Sequence, residues 1–159
     1  LYIEETAIHK GIAQTVWLGR MTKVAEHPYI YVDGAHNVAA WEYLRTSVEK
    51  YFTNRRVIYI IGVLKDKEYE KMVEILAPTM AAAVVVTPDT PRGLPKEILA
   101  PLIQAQGVPV QLADTSAEAL QKAREQAGET GVILVSGSLS FLAEYLQLES
   151  GDENNGASR

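Results

Sequence analysis

From Tyr29 to Leu146 the chain alternates short apolar runs with stretches of helical period, and this order constrains the fold more than any other feature. "YIYVD", "RVIYIIGVL", "AAAVVVTP", "VPVQL" and "GVILVSG" have the length and β-branched content of strands, and the longest is apolar enough to be buried on both faces. Between them lie amphipathic segments over residues 37–51, 68–77, 96–106 and 116–127, with a last one over 139–146. Asn37 stands where an N-cap belongs. Strand, helix and strand in succession join by right-handed crossovers, so the strands should pair in parallel with helices on both faces. "MTKVAE" precedes "YIYVD" across His27-Pro28, and Pro28 has no N–H to give a ladder, so it belongs in the turn of an edge hairpin. The expected fold class is α/β: a three-layer Rossmann-like sandwich on a mostly parallel sheet of about six strands with one antiparallel edge strand.

A length of 159 residues fits one core. Hydrophobic residues are 47% and charged residues 22% of the chain, ordinary for a water-soluble domain, and no apolar stretch approaches the roughly 18 residues that cross a bilayer. With no cysteine there is no disulfide, thiolate metal site or thiol nucleophile, which fits a reducing, cytoplasmic setting. The formal charge is −5 and the 15 basic residues are scattered, so the electrostatic footprint of a nucleic-acid binder is missing. Residues 1–20 read as a short helical stretch and the end of a linker, and the absence of an initiator Met predicts a piece of a longer protein. Residues 21–148 are the expected domain, and the polar tail over 149–159 is expected to be disordered.

In an open parallel sheet, ligands bind beyond the carboxyl ends of the strands, where loops meet helix N-termini. Three loops therefore carry the candidate residues: "DGAHN" after the second strand, "GVLKDKE" after the third and "SGSLS" after the last. The Asp33 carboxylate can accept two hydroxyl hydrogen bonds, as a ribose edge requires, and Gly34 would let the backbone turn sharply. Asp33 and Asn37 could equally serve only as helix caps, and His36 as a plain polar loop residue. Lys65 and Lys67 stand at a helix start, where each cation opposes the macrodipole by roughly 0.3–1 kcal/mol. An anion held there would remove that penalty; two solvated lysines are the alternative. Ser136 and Ser138 flank Gly137, and their hydroxyls suit a carboxylate, a phosphate or a cap. "TPDTPRGLP" reads as a stiff surface loop.

No G-x-x-x-x-G-K-[ST] or G-x-G-x-x-G string occurs, so a bound nucleotide would be shared with another domain. No His/Asp/Glu set has metal-ligand spacing, and no metal residue is assigned.

"IHKGIAQTVWLGRMTKV", "YIYVDGAHNVAAW", "GVLKDKEYEKMVEIL", "TPRGLP" and "SGSLSFLAEY" occur in the order and spacing of one domain type. Over about residues 7–146 the chain resembles the carboxy-terminal domain of folylpolyglutamate synthase, often also dihydrofolate synthase, within the Mur ligase superfamily. The resemblance implies an ATP-dependent ligase that activates a folate or dihydropteroate carboxylate as an acyl phosphate and joins L-glutamate to it. It implies ATP and magnesium as cofactors, held mainly by a missing amino-terminal domain, and a monomer whose fragment is inactive alone. Carried over by position, Arg20 and Asp33 would contact ATP, Asp33 at the ribose, while His36, Lys67 and Ser138 would bind glutamate. Lys65 lies outside that pattern, and the sequence departs from it at Leu18 and at Thr22-Lys23. Two other readings are a Mur-type ligase of cell-wall precursors and a non-catalytic flavodoxin-like module; the latter lacks its receiver-type acidic cluster or flavin phosphate loop here.

Overall fold

All six expected strands form in the computed structural model, which describes residues 21–138 and 141–148. Strand β1 is Thr22–Glu26 and β2 is Tyr29–Asp33. Helix α1 (Val38–Tyr51) leads to β3 (Val57–Ile61), and α2 (Tyr69–Leu76), with a 3₁₀ turn at Ala77–Thr79, leads to β4 (Ala82–Val85). Helix α3 (Lys96–Ala105), β5 (Val110–Leu112), α4 (Ser116–Ala127) and β6 (Val132–Ser136) follow, and α5 covers 141–148. Strand β5 starts two residues later than its apolar run, because Pro109 has no N–H for the ladder; its carbonyl still accepts from Ala83 N at 2.9 Å.

The sheet order is β1-β2-β6-β3-β4-β5, parallel throughout except for the β1–β2 hairpin. From β2 the chain steps outward through β3 and β4 to β5, and then α4 carries it back to β6 between β2 and β3. Reversing direction under a right-handed crossover rule forces the helix onto the other face. The side chains follow this rule. Val57, Tyr59 and Ile61 of β3 pack with Trp41, Leu44 and Val48 of α1, Met72 and Leu76 of α2, and Leu99 and Ile103 of α3. Ile58 and Ile60 pack on the opposite face with Ala119, Leu120 and Ala123 of α4 and Phe141, Leu142 and Tyr145 of α5. Five buried residues in a row make β3 apolar on both faces, as a central parallel strand requires.

One buried hydroxyl of this core is paired within it. The Tyr59 hydroxyl donates to Thr79 Oγ1 at 2.6 Å, since Thr79 gives its own hydrogen to the Leu76 carbonyl at 2.7 Å. Burial pushes the Tyr59 phenol well above its ordinary range.

Neighbouring strands end level: Ser136 is in register with Asp33 on one side and Ile61 on the other. Beyond them β6 and β3 approach so closely that only glycine fits. Gly137 has φ +132°, and a Cβ placed there would lie 2.0 Å from the Gly62 carbonyl oxygen. Gly107 also has positive φ, +82°, but open space around its missing Cβ. Gly137→Ala is therefore expected to destabilise the chain by at least about 3 kcal/mol, against about 1 kcal/mol for Gly107→Ala. Urea midpoints of the two variants check this, and equal losses would refute the close-approach argument.

Candidate functional site

Loops after β2 and β3 run to helices on one face, whereas the loop after β6, between them, runs to α5 on the other. Adjacent strands whose loops diverge open a crevice at their carboxyl ends, the usual ligand position in such sheets. Asp33 and His36 follow β2, Lys67 follows β3 and Ser138 follows β6, so four of the five expected site residues share this edge. Arg20 lies outside the described residues.

Asp33 is fully buried. Its Oδ1 accepts from Ala35 N at 2.8 Å, while Oδ2 is buried with no hydrogen-bond partner among the described residues. The carboxylate expected to offer both oxygens thus has one already engaged and one acceptor unused. His36 is half-buried, and its Nδ1 stands 2.7 Å from the Gly34 carbonyl oxygen. A carbonyl can only accept, so Nδ1 carries the hydrogen and Nε2 is the acceptor of the neutral ring. Asn37 Oδ1 accepts from Ala40 N at 2.9 Å, which makes Asn37 the expected N-cap of α1. The turn both caps a helix and presents side chains. The glycine with positive φ at this edge is Gly137 rather than Gly34, because the tight passage is between β6 and β3.

Two further residues fix this turn: Trp41, which the sequence shows only as part of an apolar stripe, and Ser136, nominated there as a loop hydroxyl for an anion or a cap. Trp41 Nε1 donates to the Ala35 carbonyl at 2.9 Å, and Ser136 Oγ donates to the same oxygen at 3.3 Å. A buried indole N–H needs an acceptor, and that requirement was the available signal for Trp41. Ser136 is the last residue of β6 and fully buried, not a loop serine. Ser138 does lie beyond the strand, buried, with its Oγ accepting from Phe141 N at 3.4 Å and its carbonyl from Leu142 N at 3.1 Å.

Lys65 and Lys67 are loop residues, since α2 begins only at Tyr69; the helix-dipole penalty expected for them does not apply. Their loop is laced to the proline-rich one by Lys65 N to Arg92 O at 2.8 Å and Leu94 N to Val63 O at 2.9 Å. Arg92 Nη2 lies 2.6 Å from Asp66 Oδ2 and holds the Asp66 carboxyl below its usual range. Both partners are exposed, so the pair adds little stability. With Asp66 engaged, half-buried Lys67 has no ion pair among the described residues. It borders a hollow of about 230 Å³ with Glu68, Tyr69, Glu70 and Lys71. A groove of about 730 Å³ lies away from this edge, beside α1 and the hairpin, but its Lys50 and Arg55 rest over the rings of Tyr51 and Tyr29. Volume alone therefore does not choose the site.

The sequence profile described as Mur ligase, glutamate ligase domain, matches residues 19–139. The chain belongs to that family. Among relatives of this Mur ligase domain, the dihydrofolate synthase/folylpolyglutamate synthase of Bacillus subtilis is 28% identical over 90% of the chain and 33% of its own length. The protein of the same name from Escherichia coli is 30% identical over 93% of the chain and 34% of its length. A solved structure of E. coli FolC in complex with DHPP and ADP superposes with a TM-score of 0.78 at 29% identity, over 96% of this chain and 36% of that one. The ligase domain thus spans about a third of the length of these relatives. Their common fold confirms the mostly parallel six-stranded sheet with its antiparallel edge.

Burial raises the Asp33 carboxyl above its ordinary value of 3.8, against the opposing hydrogen bond from Ala35 N. The folded state then holds this proton more tightly than the unfolded chain, so the associated stability is present below 3.8 and lost as pH rises through the folded value. Asp33→Asn, which removes the charge, is expected to stabilise the ligase domain by roughly 1 kcal/mol at pH 7. The gain should fade toward pH 4. Thermal melts across that range check it, and an Asn variant less stable than the parent at pH 7 would contradict it.

Proposed function

We propose that this chain is the glutamate-binding half of an ATP-dependent ligase that adds L-glutamate to a folate, or to dihydropteroate, through an acyl phosphate. The observation that carries the reading is the buried Asp33 Oδ2, without a hydrogen-bond partner among the described residues, at a strand-order reversal whose edge also bears His36 and the half-buried Lys67, which has no ion pair among those residues. An unsatisfied buried acceptor calls for a donor, and a ribose hydroxyl is one. Because Asp33 is covered, nucleotide entry requires its cover to shift. On this reading Asp33, with Arg20 outside the described residues, completes an ATP site held mainly by the rest of the enzyme.

Glutamate brings two carboxylates that lose water on entering a cleft, and charge-assisted hydrogen bonds from Lys67, with His36 and the Ser138 hydroxyl, would replace that water. ATP, when bound, supplies the phosphoryl group that activates the acid. This chain's residues hold the amine in line and keep out water that would hydrolyse the activated acid; orientation alone contributes about 7–11 kcal/mol in ideal cases. No group of three His, Cys, Asp or Glu among the described residues could hold magnesium, and its ligands are assigned to the rest of the enzyme. A chain covering a third of its relatives carries only one side of this cleft and is proposed to be inactive alone. It is further proposed to act as a cytoplasmic monomer.

The test is steady-state kinetics of the full-length enzyme. Asp33→Ala is expected to raise the KM for ATP about 10-fold, and Lys67→Ala the KM for glutamate about 10–100-fold, the range of one hydrogen bond to a charged group. Unchanged KM values in both variants would refute the assignment.

A further inference from the structure

The Ala35 peptide joins three elements. Its N–H is held by Asp33 at the end of β2, and its carbonyl receives Trp41 Nε1 from α1 and Ser136 Oγ from β6. Asp33, Ser136 and Ile61 lie in register across β2, β6 and β3. Alternation puts their side chains on one sheet face, since Val32, Val135 and Ile60 pack on the other. At the end of "VILVS" an apolar residue would satisfy the core, and burying a hydroxyl costs free energy unless it is bonded. The bond it makes spans 101 residues of sequence and ties the turn bearing Asp33 and His36 to the strand that leads to Ser138.

We propose, resting on the function above, that Ser136 is a positioning residue of the ligase: its hydroxyl sets the Asp33–His36 turn against the loop that follows β6. Trp41 fastens the same turn to its own helix, so removing the Ser136 hydroxyl leaves the Ala35 carbonyl bonded and the fold intact. What is lost is the tie between the turn and the neighbouring loop.

In the full-length enzyme, Ser136→Ala is expected to raise the KM for ATP about 3–10-fold, the worth of one neutral hydrogen bond, with little change in melting temperature. Adding it to Asp33→Ala should raise that KM no further, because Ser136 acts through Asp33. A merely structural serine gives additive effects, and additivity overturns the proposal. So does a KM within twofold of wild type in Ser136→Ala while Asp33→Ala raises it. If Asp33→Ala itself leaves the KM for ATP unchanged, the nucleotide assignment fails and this inference falls with it. Should Ser136→Ala not fold, Ser136→Cys, similar in shape but a weak donor, carries the same expectations.

Discussion

Insertion of β6 between β2 and β3 is the constraint on which the rest of the structure depends. A chain that builds a parallel sheet by right-handed crossovers can keep stepping outward with all its helices on one face. Such a sheet leaves its other face bare. Returning through α4 to the gap beside β2 covers that face with α4 and α5, and it makes the loops of three adjacent strands diverge. One topological step therefore creates the second core layer and the crevice together. Burial of Ile58, Ile60, Ile133 and Val135 and the location of the candidate site have the same origin.

Holding that crevice open demands exact strand ends. Gly137 passes the Gly62 carbonyl where no Cβ fits, a Cβ added at Gly62 would itself lie about 3.1 Å from Pro88 and Val86, and the Ala35 peptide is engaged at both its N–H and its carbonyl. Against this close bonding stands Asp33 Oδ2, buried and unpartnered among the described residues. Stability alone would select an apolar residue there, or a second donor to meet the oxygen. On the proposed function, this acceptor, unmet among the described residues, is kept for a ligand's donor rather than for stability.

Most of the fold was legible in the sequence, because hydrophobic period carries it: every strand and helix expected between residues 22 and 136 formed within about three residues of its run. Pairing order was less legible, since the alternation of strands and helices fixes parallel pairing but not which gap the last strand enters. Of the site, Asn37 and the edge residues Asp33, His36, Lys67 and Ser138 could be nominated from turn chemistry and strand ends. Trp41 could not be, because an indole in an apolar stripe looks like an ordinary core residue, and Ser136 could be nominated only for a different role, as a loop hydroxyl for an anion or a cap, whereas it ends β6 and bonds the Ala35 carbonyl. Their roles arise from partners 6 and 101 residues away, and no local pattern encodes the second. The macrodipole argument for Lys65 and Lys67 failed for a related reason: it needed the first residue of α2 to within a turn, the least determined quantity in a periodicity reading.

The chemistry present at the edge also says what must come from elsewhere. Among the described residues, an unpaired acceptor, an imidazole, a lysine without an ion pair and capping hydroxyls suit hydroxyl and carboxylate groups, but they form no cradle for a triphosphate. The chain's net charge of −5 repels such a ligand at long range. Under the function proposed above, such a domain meets a nucleotide only when another surface brings the phosphates to it, and the carboxylate that is unfavourable alone becomes favourable on that encounter. On the proposed function, the unmet acceptor at Asp33 thereby couples nucleotide arrival to closure: the domain relieves a buried polar deficit by docking, and glutamate's site beside it is completed by the same movement.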